Sequence, residues 1–140
     1  MTPRPLALVT GASAGIGREI AQALVSCGAK VAVVGRDAAK AEAVSNEIGG
    51  AGGFACDISV PAEVVALIEG VEKTLGSCDI LVNNAGITRD NLMLRMKDED
   101  WDAVLETNLR SAFVAIRAVQ RGMMKRRWGR IINIASVVGM

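Results

Sequence analysis

The chain lacks the two side chains that most often move protons in enzymes at neutral pH. It contains no His and no Tyr among its 140 residues, and only 3% of its residues are aromatic. A reaction that needs a protein acid or base must therefore draw on other groups. This absence limits the proton-transfer mechanisms that the chain can support.

Cysteines are also few, and their spacing excludes two further classes of site. Cys27, Cys56 and Cys78 are odd in number and far apart, which fits neither a disulfide framework nor a set of metal ligands. The N-terminus has no signal-peptide pattern, because Pro3 and Pro5 interrupt it. We therefore expect reduced thiols, no metal and a cytoplasmic protein.

A charge excess of one sign and a long hydrophobic run are missing as well. The formal net charge is +1, and no apolar segment approaches the ~20 residues of a membrane span. The composition gives no electrostatic reason to expect nucleic acid or a membrane as partner. With 51% hydrophobic residues, the chain can bury a core, and we expect one domain over residues 1–140.

The sequence does contain a regular alternation of short apolar runs and helical patterns. Five runs are predicted as strands: 6–9, 31–34, 54–56, 80–82 and 131–134. Helical periodicity separates them, and the last helical region is long, at about residues 97–125. Short all-apolar strands joined through helices predict an open parallel sheet with right-handed crossovers, covered on both faces.

A glycine-rich loop joins the first strand to the first helix with the spacing G-x-x-x-G-x-G. Such a loop brings backbone close to a ligand, and the free N–H groups of the following helical turn favour an anion such as pyrophosphate. A glycine turn that merely begins a helix has the same composition, so the spacing alone leaves both interpretations open. The candidate nucleotide-binding residues in it are Gly11, Ala12, Ser13, Ala14, Gly15, Ile16 and Gly17.

Polar residues follow each predicted strand at its carboxyl end, where open α/β sheets bind ligands. They are Thr10-Gly11, Gly35-Arg36, Asp57, Asn83-Asn84 and Ser136. Asn83 and Asn84 alone are equally consistent with a simple turn. In combination with the glycine loop, they favour a ligand site along this edge.

The order of these motifs resembles the short-chain dehydrogenase/reductase family. The resemblance is carried by Thr10-Gly11-x-x-x-Gly15-x-Gly17, Asp57, Asn83-Asn84-Ala85-Gly86, Asn108 and Ser136. Residues 86–91, 96–98, 101 and 106–109 are similar, more closely, to bacterial 3-oxoacyl-(acyl-carrier-protein) reductases of fatty-acid synthesis. The resemblance implies a Rossmann-type doubly wound parallel sheet with strand order 3-2-1-4-5, NAD(P)-dependent oxidoreduction and a tetramer.

The residue after the second strand bears on the choice of cofactor. Arg36 stands where NAD enzymes usually place a carboxylate, and an Arg there suits the 2′-phosphate of NADP(H). An ordinary solvated charge is the alternative, and Ala14 departs from relatives that carry a basic residue in the loop. By resemblance, Asp57 and Ile58 contact the adenine.

The same resemblance gives roles to residues further along the chain. Asn84, Ala85 and Gly86 would line the cofactor. Asn108 would be the catalytic Asn that kinks its helix and holds a water, and Ser136 would bond the substrate carbonyl. Without the resemblance, Ser136 is equally a strand-end cap.

Asn108 also falls on a predicted apolar helix face, where an amide needs an internal partner. The other members of that face are Trp101, Val104, Leu105, Ala112 and Ile116. A structural hydrogen bond to backbone would account for Asn108 equally well.

The family's proton donor, a Tyr in a Tyr-x-x-x-Lys pair after the Ser, has no match here. We therefore expect the N-terminal part of a reductase that is inactive alone, with the sixth and seventh strands absent. An inactive nucleotide-binding chain, or a reductase of acetoacetyl-CoA, steroids or sugars, is the alternative.

The missing strands also predict exposed surface and self-association. We expect it on the fifth strand (Ile131, Ile132 and Ile134) and on the long helix (Phe113, Ile116, Val119, Met123 and Met124).

A basic cluster, residues 125–130, ends the long helix. Cations at this position stabilise a helix dipole, which accounts for the cluster without a partner. Acyl carrier proteins are acidic, and a basic patch beside the site would attract them. By resemblance, Arg127 takes part in carrier docking.

Overall fold

A computed structural model describes residues 4–85 and 97–134 and shows a five-stranded, wholly parallel sheet. The strand order is β3-β2-β1-β4-β5, as the resemblance implied. The strands are β1 Leu6–Val9, β2 Lys30–Gly35, β3 Gly52–Ala55, β4 Ile80–Asn83 and β5 Arg130–Asn133. The third begins two residues earlier than predicted, and the fifth is shifted by one residue.

Helices connect the strands and lie on both faces of the sheet. They are α1 Gly15–Ser26, α2 Ala38–Ile48, α3 Pro61–Leu75, α4 Asp98–Val104 and α5 Ser111–Arg126. Local chemistry sets their ends: the Asp37 carboxylate accepts a hydrogen bond from the Lys40 N–H (3.1 Å) and caps α2. Gly49 ends that helix in the left-handed conformation, with φ of 77°.

The core consists of two layers, one on each side of the sheet. Alternate residues of β1 divide between them: Leu6 and Leu8 pack with α3 and α5, whereas Ala7 and Val9 pack with α1 and α2. All four β1 residues are at most 1% exposed, because this strand lies at the centre of the sheet. The position of β1 therefore fixes the start of the glycine loop.

The helical region after β4 runs without a break from Asp98 to Arg126, as predicted, but it is not α-helical throughout. The structure divides it into α4, a π-helical turn over Leu105–Arg110, and α5. α4 buries none of its residues, and Trp101 is 57% and Leu105 40% exposed. The prediction of a buried stripe that includes Asn108 is therefore wrong, because no described element covers this face of α4.

Exposed apolar surface is present on β5 and on part of α5. Ile132 is 43% exposed on this edge strand, and Phe113 on α5 is 58% exposed, as expected. Val119 and Met123 were also expected on this surface, but both are buried. They lie in the core cluster of α3 and the sheet, since they occupy the inner face of α5.

No helix within residues 4–85 and 97–134 combines the length and the apolar character that crossing a membrane requires.

Candidate nucleotide-binding site

The glycine loop has a backbone that only glycine adopts without strain at two of its positions. Gly11 and Gly15 have φ of 63° and 59°, in the left-handed region. α1 begins at Gly15, and the N-cap, Ala14, has no side chain that could accept from the helical N–H groups. The first turn also carries no acidic residue. The positive end of the helix dipole therefore meets the loop without a competing protein anion.

The third glycine allows α1 to pack directly on the loop. A Cβ on Gly17 would overlap the Gly11 carbonyl oxygen and lie 2.5 Å from Asn84 Nδ2. A Cβ on Gly11 would lie 2.9 Å from Ala85 Cα. The loop is thus pressed between α1 and the segment that follows β4. The close packing therefore requires glycine at these positions, in addition to the turn.

Thr10 and Asn84 bind the loop to the end of β4. The Thr10 hydroxyl oxygen accepts from the Asn84 and Ala85 N–H groups, each at 3.0 Å, and the side chain is 6% exposed. The Asn84 side-chain amide donates to the Gly11 carbonyl at 3.2 Å. Thr10 was predicted as a strand-end residue of the motif, but not as the acceptor that joins the two segments. A hydroxyl residue directly after β1, opposite an Asn pair at the end of the neighbouring strand, was the signal available.

The loop is equally tied to β2 on its other side. The Ala12 N–H donates to the Val34 carbonyl at 2.9 Å, and Ala12 is completely buried. A Cβ on Gly35 would lie 2.8 Å from Ser13 Oγ, so Ser13 covers the end of β2 next to Arg36. Ile16, in contrast, is 68% exposed in the first turn of α1.

Arg36 and Asp57 meet at the ends of β2 and β3. The Cys56 N–H donates to the Gly35 carbonyl at 2.9 Å, which brings the two side chains onto adjacent strand ends. Arg36 Nη2 lies 3.9 Å from Asp57 Oδ2. The other carboxylate oxygen, Asp57 Oδ1, accepts from the Ser59 hydroxyl at 2.6 Å and the Ser59 N–H at 3.0 Å. The Ser59 hydrogen bonds, with a smaller contribution from Arg36, hold the pKa of Asp57 below its ordinary value.

Ile58 anchors the segment between Asp57 and Ser59. Its side chain is half-buried and packs against the core cluster that contains α3. The Asp57 N–H donates to Glu63 Oε1 at 3.2 Å, from the first turn of α3. The predicted adenine-contacting pair thus lies on a segment held at both ends.

Of the remaining predicted site residues, the structure describes Asn108 alone. Asn108 lies in the π-helical turn between α4 and α5, so the expected irregularity of the helix at this position is present, and its side chain is exposed. Gly86 and Ser136 fall outside the described residues. The site that the structure assembles is therefore the adenine and phosphate half.

The basic cluster after α5 lies at the amino ends of the strands, opposite the carboxyl ends where the glycine loop stands. Arg127 ends α5 with φ of 58°, three residues before β5 begins, so it stands at the amino end of the strand. The glycine loop stands at the carboxyl ends. Arg126 Nη2 donates to the Cys78 carbonyl at 2.8 Å, and this bond fixes the end of α5 near the start of β4. The basic cluster thus lies away from the glycine loop, and carrier docking at Arg127 stays a prediction.

The described residues fit an adenine dinucleotide. Gly15 has open space where a Cβ would stand, with nothing within 4 Å, the N-terminus of α1 favours a pyrophosphate, and Arg36 provides a cation at the edge of the same surface. Within residues 4–85 and 97–134 there is no group of three acidic, Cys or His side chains that could hold a metal ion. The site is thus built from backbone N–H groups and one guanidinium.

Comparison with known proteins gives a consistent result. The family model of short chain dehydrogenases matches residues 5–140. The chain is 52% identical over 135 residues to 3-oxoacyl-(acyl-carrier-protein) reductase FabG of Escherichia coli, covering 96% of this chain and 55% of that protein. It is 50% identical over 139 residues to FabG of Pseudomonas aeruginosa, with coverage of 96% and 56%. The chain thus spans about half the length of these relatives.

A solved structure shares the fold over nearly the whole chain. The crystal structure of a metagenomic short-chain oxidoreductase in complex with NADP superimposes with a TM-score of 0.90 at 40% identity. The match covers 97% of this chain and 64% of that one. The ordered motifs, the strand order and both comparisons agree: the chain belongs to the short-chain dehydrogenase family of oxidoreductases.

Proposed function

We propose that the chain is the NADP(H)-binding part of a 3-oxoacyl-(acyl-carrier-protein) reductase, which reduces the 3-oxo group to a 3-hydroxyl in fatty-acid synthesis. The observation that carries the cofactor assignment is Arg36, 80% exposed on its side chain and placed at the end of β2. A 2′-phosphate suits a guanidinium at this position, whereas a carboxylate there would suit NAD. The relatives named FabG at about half identity support the substrate class.

Each predicted cofactor-binding residue then has a distinct role. Backbone N–H groups of residues 11–17 bind the pyrophosphate at the positive end of α1. Arg36 binds the 2′-phosphate, and Asp57 and Ile58 contact the adenine. Asn84, Ala85 and Gly86 line the cofactor, which supplies a hydride when bound.

The substrate half needs a proton source as well as a hydride. Reduction of a ketone produces an alkoxide, which must be stabilised and protonated. In our proposal Asn108 orients a water and Ser136 donates a hydrogen bond to the substrate oxygen. The chain contains no Tyr or His, and neither Asn nor Ser is an adequate acid at neutral pH. We therefore propose that the 140 residues alone bind nucleotide weakly at most and do not reduce ketones.

Acyl carrier protein is the proposed partner, with Arg127 as one contact. The chain around the end of α5 exposes four cationic residues, Lys125, Arg126, Arg127 and Arg130, and the Arg130 guanidinium lies 5.0 Å from the ring centre of the exposed Trp128. An acidic carrier would be attracted to these cations at low ionic strength. Because Arg127 stands at the sheet edge opposite the glycine loop, a carrier bound there would serve a site completed by a neighbouring copy. This agrees with the proposed tetramer.

A hybrid enzyme tests the function directly. The chain would replace the segment that it matches in the E. coli relative, and NADPH oxidation would be followed with acetoacetyl-(acyl carrier protein) and with sugar ketones. We expect reduction of the carrier-bound substrate and not of sugars, because the hybrid keeps the proposed cofactor half. Faster turnover of a sugar would refute the substrate class, and equal use of NADH would refute the cofactor choice.

The docking contact needs a separate variant of the hybrid. Arg127→Glu should slow reduction of the carrier-bound substrate and leave a small 3-oxoacyl thioester nearly unaffected, since only the carrier meets the basic surface. Equal losses on both substrates would return Arg127 to a structural role at the end of α5.

A further inference from the structure

Arg36, which is proposed to bind the 2′-phosphate, already pairs with a protein anion, the carboxylate of Asp57. Arg36 Nη2 and Asp57 Oδ2 are 3.9 Å apart, and the two side chains are 80% and 38% exposed. A phosphate that binds Arg36 must therefore share or replace the carboxylate. The pair lies at the surface, so it can open without burying an unpaired charge.

Ser59 determines which carboxylate oxygen faces Arg36. Its hydroxyl and its N–H both donate to Asp57 Oδ1, at 2.6 and 3.0 Å. This local turn fixes the carboxylate, since rotation would break both bonds. Oδ2 is thereby left toward Arg36. The lowered pKa of Asp57 agrees with an anion that stays charged at neutral pH.

Resting on the proposed function, we infer that Asp57, held by Ser59, is an internal competitor of the cofactor's 2′-phosphate for Arg36. A nucleotide without this phosphate leaves the Arg36–Asp57 pair intact and meets no penalty there. A nucleotide that carries it must displace the carboxylate. Asp57 therefore reduces the preference for phosphorylated over unphosphorylated adenosine that Arg36 alone would give.

Two probes separate this effect from adenine binding. Calorimetry on the 140-residue chain would give the affinities of 5′-AMP and of adenosine 2′,5′-bisphosphate, and their ratio cancels any change shared by both. We expect Asp57→Asn to raise the ratio in favour of the bisphosphate by about two- to fivefold, the range that an exposed ion pair supports. The increase should shrink as salt is raised from about 20 to 500 mM, where charges are screened.

Three further variants show that the effect passes through Arg36. Ser59→Ala should raise the ratio by part of this amount and move the pKa of Asp57, followed by NMR, back toward 3.8. Glu69→Gln removes an equal charge from an exposed position of α3 and should leave the ratio unchanged. In an Arg36→Ala background, Asp57→Asn should no longer change the ratio.

The outcomes distinguish the inference from the proposed function. If the unsubstituted chain binds neither probe, both fail. If it binds both but Asp57→Asn leaves the ratio unchanged, the competitor role fails and the cofactor assignment stands. A ratio that rises equally with and without Arg36 would show direct repulsion of the phosphate, which also overturns the competitor role.

Discussion

Gly17→Ala should destabilise the chain, although replacing glycine by alanine usually stabilises a helix. This variant therefore tests the close packing at the centre of the site. Gly17 lies in α1 and is buried, without the positive φ found at Gly11 and Gly15. Alanine normally gains roughly 1 kcal/mol over glycine in a helix. Here its Cβ would overlap the Gly11 carbonyl oxygen and approach the Gly11 carbonyl carbon to 2.8 Å, and backbone cannot move aside cheaply.

The net magnitude follows from the competing contributions. Overpacking costs about 1–3 kcal/mol. Loss of the 3.2 Å bond from Asn84 Nδ2 to the Gly11 carbonyl adds about 0.5–1.5 kcal/mol. Set against the gain in propensity, Gly17→Ala should lower the free energy of unfolding by about 1–3 kcal/mol. It should also weaken nucleotide binding, because α1 and the loop are forced apart.

Gly70→Ala in α3 is the matched control. No described atom lies within 4 Å of a Cβ built on Gly70, which is exposed. This variant should raise the free energy of unfolding by up to about 1 kcal/mol from propensity alone. Urea denaturation of both variants measures the contrast. If Gly17→Ala stabilises the chain as Gly70→Ala does, the packing argument is wrong.

Three further predictions test other parts of the structure. Thr10→Val should lower the free energy of unfolding by about 1–3 kcal/mol, because it leaves the half-buried Asn84 and Ala85 N–H groups without their acceptor, and Thr10→Ser should restore most of it in the same urea assay. Burial raises the pKa of Cys56 to about 11 and of Cys78 to about 12, so their contribution to stability is complete below pH 9 and is lost as the pH rises through those values. Urea midpoints at pH 8 and 10.5 should show this fall, a Cys56→Ala/Cys78→Ala variant should show less of it, and an unchanged midpoint would contradict it. Ile132→Lys on the edge strand β5 should reduce self-association measured by light scattering, whereas Ile16→Lys, which is more exposed (68% against 43%) but lies on α1, should not.

The apolar runs predicted most of the sheet, because a buried parallel strand has few other possible compositions. β1 and β2 coincide with uninterrupted runs at the centre of the sheet, whereas β3 begins at Gly52-Gly53, which carry no hydrophobic signal. The apolar stripe of α4 misled because spacing shows which residues share a face but not whether anything covers that face. Trp101 is the clearest example.

The candidate site was predictable at positions where the backbone conformation, a close contact or the charge of the ligand requires one residue type. Gly11, Gly15 and Gly17 are required by conformation or contact, and Arg36 by its place after β2. Thr10 was predicted only as a strand-end residue, and the contact of Ser59 with Asp57 was not predicted, because both roles depend on partners. Thr10 bonds to backbone groups just beyond the end of another strand, and Ser59 acts on the carboxylate of Asp57. Spacing along the chain does not reveal the first kind of contact, and short polar turns are too common to reveal the second.

The hydrogen bonds of Thr10 also constrain the order of events in folding. They join residues 74 and 75 positions apart, so the loop after β1 acquires its shape only once β4 has paired beside it. Closing so long a loop is slow compared with forming α1 or the neighbouring β1–β2 unit. During synthesis, the glycine loop therefore emerges early but needs more than seventy further residues before it has the shape proposed to hold a phosphate. In our proposal, nucleotide binding thus reports that the central strands are assembled, and a bound nucleotide would stabilise that late state.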